Sequence, residues 1–95
     1  MPVAKHWTVD ILIREQLGDD ATVTHAEARL RTRDATGLRG HGQARRHPDD
    51  ADLPAIADEL AIARALSDLA HQLLCTAATD IDAVTPRRPL VTLAE

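Results

Sequence analysis

Two consecutive stretches decide the fold: Ala26-Glu27-Ala28-Arg29-Leu30-Arg31 and Leu38-Arg39-Gly40-His41-Gly42-Gln43-Ala44-Arg45. Both alternate small apolar residues with long polar ones, which predicts two β-strands that each have one buried face and one solvated face. The turn between them is predicted at Asp34-Ala35-Thr36-Gly37. Because the inward side chains are so small, we expect a bulky element, such as a leucine-rich helix, to press closely on this hairpin.

The preceding sequence supplies another strand. Its apolar and polar residues also alternate, and Leu17-Gly18-Asp19-Asp20 has the composition of a turn. The three predicted strands are Lys5 to Glu15, Thr22 to Thr32 and Leu38 to Arg46. Together they predict a three-stranded antiparallel meander.

Strong helix formers follow from about Pro54 to Ala77, after an acidic start at Asp49-Asp50-Ala51-Asp52 that suits the positive end of a helix dipole. A short second helix is predicted at residues 79–84, with Thr79 or Asp80 as its cap. The fold class is therefore α+β, with the meander packed on a long C-terminal helix. We expect one domain over residues 1–95, with its core at 5–85 and an extended tail at 86–95.

The long helix carries a broad apolar stripe that is predicted to face the sheet. At 3.6 residues per turn its members are Ile56, Leu60, Ala63, Leu66, Ala70, Leu73 and Leu74, widened by Ile62 and Leu69. Glu59 projects among these apolar positions. It is either a carboxylate at the edge of the core that caps backbone donors or pairs with an arginine, or a buried acid without a catalytic companion.

The strand registers follow from the requirement that the apolar faces coincide. Pairing Ile11 with Ala28 places Asp10 opposite Arg29, while pairing Ala28 with Ala44 places Glu27 opposite Arg45. We therefore predict two structural charge pairs, Asp10 with Arg29 and Glu27 with Arg45. Such cross-strand pairs contribute only about 0.2–1 kcal/mol each.

The charges are segregated along the chain. Residues 25–47 hold six of the 11 Lys and Arg residues and carry +4, within a chain whose net charge is −4. After the two charge pairs are set aside, the candidate binding residues for RNA or a protein partner are Arg31, Arg33, Arg39, His41 and Arg46. The alternative is a solvated face whose charges prevent edge-to-edge aggregation.

Several function classes are disfavoured by composition. One Trp, no Phe and no Tyr leave little platform for base stacking, and a lone Cys75 makes neither an internal disulfide nor a two-cysteine zinc site. No signal peptide or membrane span is indicated, so a cytoplasmic location without a membrane partner is expected. No catalytic residue, cofactor, metal or small-molecule substrate is indicated either, and we predict that the protein is not an enzyme.

The sequence also resembles a known family. The resemblance rests on Trp7-Thr8-Val9-Asp10, Ala26 to Leu30, Gly40 to Arg46, Pro54 to Ala61 and Arg64 to Leu69, and covers about residues 5–85. The family comprises small actinobacterial proteins of unknown function with a fold similar to the double-stranded-RNA-binding domain. Their shape has been likened to that of ribosome hibernation factors, which implies a stress or dormancy role. The resemblance brings no catalytic residues.

Two functional hypotheses remain. One meander and one helix leave two sheet edges and a wide apolar helix surface to cover, so the first is a homodimeric interaction module whose basic sheet face meets an acidic protein. The second is RNA or ribosome binding through the same face. An RNA-binding domain of this type places basic residues at the start of its C-terminal helix, where this chain has Asp49, Asp50 and Asp52. Any RNA contact is therefore predicted on the outer sheet face.

Overall fold

The computed structural model describes residues 2–33, 36–47 and 54–85. Three strands, β1 (Thr8–Leu17), β2 (Thr22–Arg31) and β3 (Thr36–Arg46), precede one helix, α1 (Pro54–Val84). The strands form an antiparallel sheet in the order β1-β2-β3, with α1 packed on one face. The predicted α+β meander with a long C-terminal helix is confirmed. The acidic start at 49–52 and the tail at 86–95 lie outside the described residues.

The predicted pairing of the first two strands is confirmed, and that of the second and third is wrong. Ile11 pairs with Ala28 as expected, but Ala28 pairs with Gly40 instead of Ala44. A shift of four residues leaves every side chain on the same face, so the alternation alone could not distinguish the two registers. The true register extends β3 to Thr36, which pairs with Arg31 across an irregularity. Thr36 and Gly37, predicted in the turn, belong to the strand.

The helix is longer than predicted, because α1 continues through residues 79–84 without a second start. Thr79 does not cap a new helix. Its hydroxyl donates a hydrogen bond to the carbonyl oxygen of Cys75, four residues earlier, at 3.0 Å. This bond to the preceding turn is the one that a threonine inside a helix makes. No helix in the described part of the chain combines the length and apolar character needed to cross a membrane.

The core is built from small side chains. Among the described residues its buried apolar members are Ala26, Ala28, Leu30, Ala44, Ala57, Ala61, Ala65 and Leu69. The helix therefore turns an alanine stripe toward the sheet. Of the predicted apolar stripe, Leu69 is buried in the core and Ile62 and Leu73 are half-buried against it, whereas the other six members are exposed. Hydrophobicity alone predicts that the leucines face the sheet, whereas in the structure the smallest helix side chains do.

Two glycines of β3 explain why the smallest side chains of α1 face the sheet. A Cβ atom built on Gly40 would overlap the carbonyl oxygen of Ala65 and lie 2.5 Å from the amide nitrogen of Leu69. One built on Gly42 would overlap Ala61 in the same way and lie 2.7 Å from the Cβ of Arg64. The helix backbone thus lies directly on the strand backbone, at a distance that leaves no room for a larger helix side chain between them.

The helix is placed off-centre on the sheet. It packs on β3 and β2 and scarcely touches β1. A helix about 10 Å wide covers roughly two strands spaced about 4.8 Å apart. One helix therefore leaves the third strand of this sheet without a cover, and every residue of β1 is exposed.

Candidate interaction surfaces

The face of the sheet opposite α1, here called the outer face, is basic. Among its charged side chains are five arginines and two carboxylates, a formal excess of three positive charges: Arg14, Arg29, Arg31, Arg39 and Arg45, with Asp10 and Glu27. The face also carries His25 and His41, which lie diagonally to one another. Three of the predicted binding residues, Arg31, Arg39 and His41, are thus brought together on this face.

The ion pairs on this face differ from the predicted ones. Asp10 pairs with Arg31 at 3.2 Å, although Arg29 is the residue directly opposite it. Glu27 pairs with Arg29 at 3.1 Å and with Arg39 at 3.8 Å. The predicted partner of Glu27, Arg45, lies opposite Val23 because of the shifted register. Long side chains reach diagonal neighbours, so direct opposition does not determine the pairs.

Two of the predicted binding residues lie elsewhere. Arg46 has the same strand parity as Gly40, Gly42 and Ala44, so it lies on the helix side of the sheet and is half-buried. Arg33 follows the end of β2, beyond the paired strands. The interpretation of Arg46 as part of the outer basic face is therefore wrong, because residues two apart in a strand share a face.

The outer face is hollowed along its middle. An open depression of about 640 Å³ is lined by residues of all three strands, including Leu12, Arg14, His25, Glu27 and His41. The part of the chain that the structure describes holds no group of three or more His, Cys, Asp or Glu side chains placed to bind a metal ion. The depression thus offers a mixed polar contact surface, because its lining contains one arginine, two histidines and two carboxylates, those of Glu15 and Glu27.

The free edge of β3 is closed by side chains of α1. Arg64 donates to the carbonyl oxygen of Gln43 at 2.7 Å, and Asp68 accepts from the backbone N–H of His41 at 2.8 Å. Gln72 donates to the carbonyl oxygen of Arg39 at 2.6 Å. These three polar residues recur every four positions, on one side of the helix. They form hydrogen bonds with backbone groups at the edge of β3, which could otherwise pair with another strand.

The opposite edge of the sheet has no such cover among the described residues. On the helix side of β1, Val9, Ile11 and Ile13, here called the β1 row, are 40%, 38% and 39% exposed. Further exposed aliphatic residues lie on the helix sides turned away from the sheet: Ile56, Leu60, Leu66, Leu74 and Ile81, here called the outer helix stripe. The large aliphatic side chains are thus concentrated on surfaces that the protomer itself does not bury.

A second hollow was missed by reasoning from the sequence. The segment before β1 lies beside the segment after β2, and together they line a hollow of about 600 Å³ with Lys5, His6, Trp7, Thr32 and Arg33 as its main residues. Continuing the β1–β2 pairing beyond Thr8 and Arg31 would have placed these residues together. The predicted register of β1 and β2 therefore already contained this signal.

Two further residues that the sequence singled out, Glu59 and Cys75, lie on α1. Glu59 is exposed, so it is neither a buried acid nor a carboxylate at the edge of the core. Cys75 is also exposed, and its Sγ lies 3.7 Å from Nε2 of His71, one turn earlier.

Comparison with known proteins shows which family the chain belongs to. Residues 5–89 match the model of the Rv2632c-like family. The chain is 51% identical over 83 residues to an uncharacterized Mycobacterium bovis protein, Mb1767, covering 87% of this chain and 83% of that protein. It is 43% identical to the uncharacterized Mycobacterium tuberculosis protein Rv2632c, over 87% of this chain and 84% of that protein. The chain thus belongs to the Rv2632c-like family, whose mycobacterial relatives are small proteins of uncharacterized function.

Proposed function

We propose that this protein is a non-enzymatic interaction module that acts as a homodimer. The observation that carries the proposal is the distribution of aliphatic side chains. The core of the described residues contains six alanines and two leucines, whereas one valine and two isoleucines lie on the β1 row and two isoleucines and three leucines on the outer helix stripe. Since burial of apolar surface is the main favourable term in folding and association, these side chains need a second cover.

A second copy fits both uncovered surfaces at once. The β1 row is a flat apolar strip, and the outer helix stripe is a ridge on a helix about 46 Å long. In a two-fold arrangement each helix ridge packs on the β1 row of its partner, and the contact is made twice. A stable interface buries roughly 800 Å² on each partner, which two such contacts can supply.

The mass in solution tests the dimer. The chain has a mass of 10.3 kDa, so light scattering coupled to size exclusion is expected to give about twice that value at micromolar concentration. A folded species with the monomer mass at that concentration would refute the homodimer.

The reciprocal contact is tested by disulfide trapping in a Cys75→Ser background. Ile11→Cys combined with Leu60→Cys is expected to give covalent dimers under mild oxidation, while each single variant is not. Efficient trapping of Leu60→Cys alone would place helix against helix and contradict the proposed arrangement.

The basic outer face is the surface that such a dimer offers to another molecule. Its arginines alternate with the carboxylates of Asp10 and Glu27, which form ion pairs with three of them. A mixed pattern of this kind favours a protein surface with complementary acidic groups, because charge complementarity fixes register and partner choice. We therefore infer an acidic protein as its partner.

RNA binding is a second candidate, and the excess of three positive charges on the outer face favours it. Arginine side chains suit phosphate oxygens, and binding through them weakens steeply as salt concentration rises. Because the sequence resembles a family that has been likened to hibernation factors, ribosomes from growth-arrested cells are the first binding target to test.

This candidate is tested by reversing two charges on β3. Arg39→Glu with Arg45→Glu is expected to abolish co-sedimentation with ribosomes at low salt. The matched control, Arg87→Glu with Arg88→Glu, makes the same charge change outside β3 and is expected to retain sedimentation. Unchanged sedimentation of the β3 variant would exclude RNA binding by this face.

A further inference from the structure

The hollow between the N-terminal segment and the end of β2 has no residue of the outer face, the β1 row or the outer helix stripe among its described lining residues. Ala4, Lys5, His6 and Trp7 form one wall, and Thr32 and Arg33 form the other. Its volume of about 600 Å³ falls within the range of small-molecule sites. The hollow is therefore large enough to hold one compact ligand.

The lining of this hollow is cationic. Lys5 and Arg33 are positively charged residues, His6 adds a third basic group, and none of the described residues that line the hollow is a carboxylate. Neither Lys5 nor Arg33 forms an ion pair with a residue in the described ranges. On the outer face, by contrast, three arginines are paired with carboxylates. An anion is thus the ligand whose charge this hollow matches.

Trp7 adds a flat aromatic surface to these charges. It is the only aromatic residue of the chain, and it is 58% exposed. A buried position would be expected if its role were to fill the core, since aromatic side chains contribute large apolar areas there. An exposed indole beside cationic groups instead provides a stacking platform for a planar base, next to groups that bind its phosphate.

We propose that this hollow binds a nucleoside phosphate, with the base stacked on Trp7 and the phosphate held by Arg33 and Lys5. The guanidinium of Arg33 can donate two parallel hydrogen bonds to phosphate oxygens, and the ammonium of Lys5 adds a point charge. The same chemistry is offered by a free nucleotide and by a nucleotide within a single strand of RNA. Arg33, Lys5 and Trp7 belong to neither the β1 row nor the outer helix stripe. A result that refutes the dimer therefore does not refute this site, and the reverse also holds.

The fluorescence of Trp7 gives a direct assay, because the chain has one Trp and no Tyr. Titration of the full-length protein with AMP is expected to quench this fluorescence to saturation. Adenosine, which lacks the phosphate, is expected to bind at least tenfold more weakly. Arg33→Ala is expected to weaken AMP binding about tenfold, whereas Arg14→Ala, on the outer face, is expected to leave it unchanged.

Two further measurements make the test decisive. Trp7→Leu, followed by calorimetry in place of fluorescence, is expected to lose binding while circular dichroism shows an unchanged fold. A short oligoadenylate that binds more tightly than AMP identifies a single strand as the source of the nucleotide, and equal affinities identify the free nucleotide. The proposal is overturned if neither ligand gives a saturable change, if adenosine binds as well as AMP, or if Arg33→Ala has no effect.

Discussion

Gly40→Ala is expected to lower the free energy of unfolding by about 3 kcal/mol or more, from the addition of a single methyl group. The added Cβ would overlap the carbonyl oxygen of Ala65 and crowd the backbone of Leu69. Backbone atoms of a helix cannot rotate away, so the whole of α1 must move off the sheet. Since small domains are stable by only about 5–15 kcal/mol, such a loss removes a large part of the margin.

Gly37→Ala is the matched control on the same strand. A Cβ at Gly37 would lie 3.8 Å from the carbonyl oxygen of Leu30, an ordinary contact. None of the glycines in the described residues has a positive φ, so alanine is tolerated by the backbone at both positions. Chemical denaturation at a fixed protein concentration compares the two variants. A loss below 0.5 kcal/mol for Gly40→Ala would contradict the close packing of helix and strand.

Ile11→Asp is expected to convert the proposed dimer to a folded monomer by weakening association at least 100-fold, or about 2.7 kcal/mol. Ile11 lies in the β1 row, and a carboxylate there would lose its hydration against the partner's helix without gaining an ion pair. Dilution series followed by sedimentation measure the dissociation constant. Circular dichroism at low concentration shows whether the monomer keeps its fold.

The adjacent residue provides the control for this experiment. Leu12 is 44% exposed, close to the 38% of Ile11, but its side chain lies on the outer face. Leu12→Asp is therefore expected to change the dissociation constant less than threefold. Equal effects of the two variants would argue against the β1 row as the interface. If Ile11→Asp does not fold, Leu60→Asp on the outer helix stripe tests the same interface from its other side.

Local periodicity was enough to predict the three strands and the long helix of this fold and their order, but it wrongly divided α1 by predicting a second helix at residues 79–84. Alternation predicted three strands, and the requirement that apolar rows coincide predicted that Ile11 pairs with Ala28. The segregation of charge predicted a basic sheet face, on which Arg31, Arg39 and His41 lie together. These features depend on residues close in sequence, or on an apolar face that a shift by one residue would expose to water.

The sequence by itself therefore determined the α+β meander, the inward faces of its strands and the basic character of one face, but it did not place Arg46, which lies on the helix side. Only the tertiary structure decided the β2–β3 register, because a shift of four residues conserves every face. It also decided that the alanines of α1 lie on Gly40 and Gly42, because the distance between two backbones is set by the smallest side chains between them. That choice turns the larger aliphatic residues outward, where we propose that a second copy covers them.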